Sequence, residues 1–174
     1  MISNLTPVGG IHAVLALLCI AIGAVQLIRP KRGASHRARG YAFVYAMLVA
    51  DGGAMLLYRF TGTFNMFHVG ALVNLACILA GIAPMLQTPR PPNWKLRHYY
   101  FIAWSYVGLM SAATTELIVH TVPPASRAQA WSLAAVISVL VSAVGYVLIE
   151  RYRPPPEART ASDGAIIAEQ GTAS

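Results

Sequence analysis

The chain has 174 residues, of which 56% are apolar and only 11% charged, and it carries a formal charge of +7. So few charges on so apolar a chain exclude an ordinary soluble domain. The Lys and Arg residues fall in short clusters between long uncharged runs, which also excludes a basic helix face laid along nucleic acid phosphates.

Five apolar stretches follow one another, at about 11–28, 36–58, 67–86, 98–119 and 130–149. A helix of roughly 20 residues crosses a hydrocarbon core about 30 Å thick, and only helices satisfy every backbone group internally there. The expected fold is therefore all-α: a polytopic membrane protein built as a five-transmembrane-helix bundle over residues 1–153.

The first stretch follows an uncharged segment and precedes the basic cluster Arg29, Lys31 and Arg32. That order is the reverse of a cleaved secretory signal, so this helix is expected to stay. At about 100° per residue it carries His12, Ala16, Cys19, Gly23 and Gln26 on one face. Ser35 is the expected N-cap of the second helix, in which His36, Gly40, Met47, Asp51, Ala54 and Tyr58 share a face. The third brings His68 near its outer end, with Asn74, Cys77 and Gly81 on a separate face that meets a neighbouring helix. In the fourth, His98, Ser105, Ala112, Glu116 and His120 form a stripe. The fifth offers Ser138, Ser142 and Gly145 for close packing, and nothing ionisable in its middle. Residues 154–174 open with prolines and continue with small and polar residues, too little apolar surface to offset ordering entropy, and are expected to be a disordered cytoplasmic tail. Both cysteines, Cys19 and Cys77, lie inside apolar runs with no metal or c-type haem spacing, and read as packing residues.

Placing the amino terminus outside puts Arg29, Lys31, Arg32, Arg37, Arg39, Arg90, Lys95, Arg97, Arg151, Arg153 and Arg159 in the cytoplasm, which leaves only Arg59 and Arg127 outside. This is the asymmetry the positive-inside rule expects. Tyr41, Tyr58, Trp94, Tyr99, Tyr100, Trp131 and Tyr152 lie at span ends, where amphipathic rings settle among headgroups.

Three separated motifs are legible on this frame: HRARGY opening the second helix, GTFNMFH leading into the third, and HYYFIAWSYVGLMSAATTE along the fourth. Together they resemble the domain-of-unknown-function 2306 family of bacterial predicted integral membrane proteins, over roughly 11–116. The resemblance implies a helical bundle in a bacterial cytoplasmic membrane and no particular activity.

Function must then come from polar groups at membrane depth, which are expensive there and default to bundle interiors. His12, His68, Glu116 and His120 belong to an outer layer with Asp51 near it, whereas His36 and His98 belong to a cytoplasmic layer; His36 and Asp51 are 15 residues apart, about 22 Å of helix rise. One reading is haem b held for electron transfer, by His12 with His68 and by His36 with His98, with Arg37, Arg39 and Arg97 pairing the propionates. A second is a proton or small-cation relay through Asp51 and Glu116 with His68 or His12 as partners. Asp51 can instead simply bond a neighbouring helix, through a serine of the fourth helix or Tyr58. The outer set His12, His68, Glu116 and His120 also matches the ligand types of zinc or copper, although His120 reads equally as a cap of its helix end. A third class is non-catalytic: a homo-oligomer or membrane assembly subunit joined through Ser105, Gly108, Ala112, Ser138, Ser142 and Gly145. Walker, GxSxG, HExxH and dinucleotide motifs are absent from the sequence.

Overall fold

A computed structural model of the chain describes residues 7–57 and 62–155. Five helices account for the ordered architecture of the described residues: α1 Pro7–Ile28, α2 Gly33–Ala54, α3 Met66–Leu86, α4 Trp94–Thr121 and α5 Arg127–Arg151. Four of them, α1, α3, α4 and α5, are long and apolar enough to cross a membrane. At 22 residues α2 is long enough as well. It falls short on composition, because Arg37, Arg39 and Asp51 interrupt its apolar run.

The packing explains how so polar a helix is accommodated. α1 lies against α2, α2 against α3, α3 against α4, and α4 back against α1, so the first four helices close a ring in which α2 and α4 face each other diagonally. α5 packs outside the ring, on α4. Neighbours run antiparallel, as the cross-links at the two ends show. Gln26 meets His36 and His98 meets Gly81 at one end, while His12 meets Ala50 at the other. The first end collects nearly all the basic residues and is called the basic end below.

Side chains fill the middle of the ring: Cys19, Phe43, Ala46, Met47, Ile78 and Leu109 form one buried cluster. Glycines let large neighbours approach. A β-carbon on Gly23 would lie 2.2 Å from the Tyr106 ring, and one on Gly145 would lie 2.5 Å from Val107. The small residues Gly145 and Ser138, expected to favour close approach, are thus spent within this chain, Ser138 by a 2.9 Å hydroxyl pair with Ser111. Much of the outward surface is apolar, with Val136, Val139, Leu140, Val144 and Val147 of α5 all exposed, as a lipid-facing helix requires.

Helix ends depart from the expected spans in instructive ways. α2 stops at Ala54, where Gly52 and Gly53 weaken the helix and Leu56 and Leu57 close it with bonds to the carbonyls of Gly53 and Ala54. Tyr58 and Arg59 lie outside the described residues, as does the expected tail from residue 156 onward. Ser35 does not cap α2: the helix begins two residues earlier, and the Ser35 hydroxyl instead accepts a hydrogen bond from Arg39. α4 begins four residues ahead of its expected span, at Trp94, whose ring lies between the Arg90 guanidinium at 4.5 Å and the Lys95 ammonium at 5.7 Å. Asn65 caps α3 by accepting from the Phe67 N–H at 2.9 Å, and Ser126 caps α5 by accepting from the Gln129 N–H at 3.2 Å.

Candidate functional site

At the basic end, Gln26 of α1 organises the start of α2. Its amide nitrogen donates to the His36 carbonyl at 3.1 Å, and its amide oxygen accepts from His36 Nδ1 at 3.3 Å and from Arg39 Nε at 3.0 Å. Because an amide oxygen only accepts, His36 carries its proton on Nδ1 and leaves Nε2 with a lone pair. His98 of α4 is held the same way, since its Nδ1 donates to the Gly81 carbonyl of α3 at 2.9 Å. Both imidazoles are half-buried, and they are close enough across the ring for their charges to interact, with Arg39 and Lys31 acting on His36 as well. Lys31 also sits over the Tyr99 ring at 5.0 Å. Of the three arginines expected to serve this site, Arg39 turns inward, whereas Arg37 and Arg97 are exposed.

The other end carries a different group. The His12 Nδ1 donates to the Ala50 carbonyl at 2.9 Å, which lays the imidazole over the last turns of α2. Beside it, the Asn74 amide nitrogen donates to both carboxylate oxygens of Asp51, at 3.3 and 3.1 Å, and His12 is near enough to act on its charge. Among the described residues the Asp51 partner is therefore Asn74 of α3, and not a serine of α4; Tyr58 lies outside the described residues. Asn74 is only 6% exposed, and its oxygen faces Gly108, where a β-carbon would come within 3.2 Å.

His68 is fully buried but occupied differently from the other four histidines. Its Nδ1 accepts from the Asn65 backbone N–H at 3.2 Å, completing a capping box at the start of α3. A neutral ring accepting at Nδ1 carries its hydrogen on Nε2. His12 and His68 thus present unlike nitrogens, whereas the His36 and His98 pair presents two Nε2 lone pairs.

The stripe expected along α4 divides. His98 is half-buried and Ser105 buried, but Ala112, Glu116 and His120 are exposed, and Thr115, one residue and about 100° from Glu116, is the residue that faces inward. His120 donates from Nδ1 to the Glu116 carbonyl at 2.9 Å, the helix-end role anticipated for it. Glu116 is exposed, whereas Asp51 is half-buried against Asn74 of α3. Among the described residues, no three His, Cys, Asp or Glu side chains come together as metal ligands, so His12, His68, Glu116 and His120 do not gather as one set.

The family of predicted membrane proteins DUF2306 matches the chain over residues 9–156. The chain belongs to this family. The match takes in α5 as well as the ring of four, a longer reach than the three sequence motifs span. It makes the DUF2306 chain a membrane protein, in keeping with its apolar helices. No curated protein and no solved structure matches the chain.

Sequence reasoning missed two partners. Asn74 was placed on a separate face of α3, and Gln26 was read only as part of an α1 stripe. A polar amide in the middle of an apolar run was the available signal in both cases, since such a group seeks a partner inside the bundle.

Proposed function

We propose that this DUF2306 chain is a multi-pass protein of a bacterial cytoplasmic membrane that holds one haem b at its basic end, between α2 and α4, for electron transfer. His36 and His98 are the axial ligands in this reading, and the observation that carries it is their shared state: two imidazoles on diagonally opposed helices, each with Nδ1–H held by an acceptor and Nε2 left as a donor atom. Ligating histidines are characteristically anchored through their other ring nitrogen in this way, which fixes tautomer and ring orientation. The donor set fits the group, and Arg39 and Lys31 supply cations for its carboxylates. Bound haem would supply a one-electron redox centre; the chain's own contribution is to orient the two imidazoles, through Gln26 and the Gly81 carbonyl, and to surround them with apolar helices.

The positive-inside rule places the basic end, and with it this site, in the cytoplasm, the amino terminus outside, and lipid around the apolar faces. The test is an absorption spectrum of detergent-purified protein, before and after dithionite, from cells supplied with haem precursor. A low-spin haem spectrum at one haem per chain is expected, lost in His36→Ala and in His98→Ala and retained in His12→Ala. A colourless, folded preparation sinks the reading, and a stoichiometry of two would bring His12 and His68 back as a second ligand pair.

A further inference from the structure

We infer that Asp51 and His12 form a proton-exchange site at the end of the bundle opposite the basic one, with Asn74 as its positioning residue. The inference is independent of haem, because its groups lie on other turns of the helices, 15 residues along α2 from His36.

A carboxylate inside a helical bundle needs a cation, hydrogen-bond donors or a proton. Among the described residues, no Lys or Arg acts on Asp51. Its donor is the amide nitrogen of one neutral side chain, shared between both carboxylate oxygens, and among the described residues that amide has no other hydrogen-bonding duty, because the Asn74 oxygen lies against Gly108 without a donor. The described group that can balance the charge is His12, which is fixed beside Asp51 by its bond to the Ala50 carbonyl and has Nε2 free of that bond. The titratable groups facing Asp51 are His12 and, more weakly placed, the Cys19 thiol of α1; α3 contributes the neutral Asn74, and Glu116 and His120 of α4 are exposed elsewhere. The pair lies near a helix end, where the proposal requires water to reach it. Asp51 and His12 are half-buried, Asp51 is three residues from the last residue of α2, and Gly52 next to it is exposed with open space beside it.

The exchange balances without a redox partner. With His12 neutral and Asp51 ionised the pair carries one negative charge. A proton from solvent forms an O–H bond on Asp51 or an N–H bond on His12 Nε2 and brings the pair to neutrality; breaking that bond returns the proton to solvent.

The test is infrared spectroscopy of the full chain in detergent, carrying 13C-labelled aspartate and Asp163→Asn so that Asp51 is the one remaining aspartate, titrated between about pH 4 and 9. A carboxylic-acid carbonyl band with the 13C shift is expected at low pH and is lost as the pH rises. Asp51→Asn should lack it, and in His12→Gln its titration should move, since the imidazole that shares the proton is gone. Should Asp51→Asn fail to fold, the comparison with His12→Gln carries the test alone. Absence of a titrating band, or a titration that ignores His12→Gln, overturns the inference. A haem-free preparation that still shows the band separates this outcome from the haem reading.

Discussion

Replacing Gly23 by Ala tests the closure of the ring between α1 and α4. The new β-carbon would sit 2.2 and 2.3 Å from two carbons of the Tyr106 ring, while ordinary carbon contacts are about 3.6 Å, so the ring must retreat by about 1.4 Å. It cannot do so freely. Its hydroxyl donates to the Ile20 carbonyl on α1 at 3.2 Å, and its other side meets Phe43 at 6.4 Å between ring centroids. Overpacking of this kind costs about 1–3 kcal/mol, and losing the Tyr106 bond adds about 1. Ala in place of Gly returns about 1 kcal/mol through helix propensity, leaving Gly23→Ala about 1–3 kcal/mol less stable than wild type. Gly10→Ala is the matched control on the same helix: nothing lies within 4 Å of its β-carbon, so it should be neutral or more stable by up to about 1 kcal/mol. Reversible unfolding in mixed micelles measures the difference, and adding Tyr106→Ala to Gly23→Ala should remove most of the penalty as a double-mutant cycle. If the two glycine variants behave alike, or the cycle shows no coupling, α1 and α4 do not meet through Tyr106 and the ring is wrongly closed.

Two further outcomes follow from packing and capping. Gly145→Ala puts a β-carbon 2.5 Å from Val107 and should loosen α5 from α4 by about 1–3 kcal/mol, whereas Gly70→Ala on the open face of α3 should be neutral in the same assay. Asn65→Ala removes the side-chain half of the α3 capping box and leaves the backbone N–H that His68 accepts, so it should cost about 1 kcal/mol, with increased amide exchange confined to the first turn of α3; no local change there would show that the Asn65 side chain does not hold the helix start.

The membrane character and the helix count were decided by the sequence, because the length of an apolar run and the need to bond every backbone group internally are local properties that no tertiary contact alters. The inward faces of α1 and α2 were legible for the same reason: His12, Cys19, Gly23 and Gln26, and likewise Met47 and Asp51, repeat at helical spacing, and all are buried or half-buried. Periodicity alone misled on α4. Glu116 lies within one helical step of the true inward position, and whether it or Thr115 faces the ring depends on how far α4 is rotated by the packing of Gly81 against Ile102 and Gly145 against Val107, contacts between residues distant along the chain. Partner choice was equally beyond the sequence. That Asp51 finds Asn74, that Gln26 holds His36, and that His68 spends its Nδ1 on a cap while His98 donates from the same atom are consequences of which helices are neighbours and at what height. Helical spacing fixes directions along one helix to within about a quarter turn, and a hydrogen bond demands heavy atoms within about 3.2 Å, a precision that only the assembled bundle supplies.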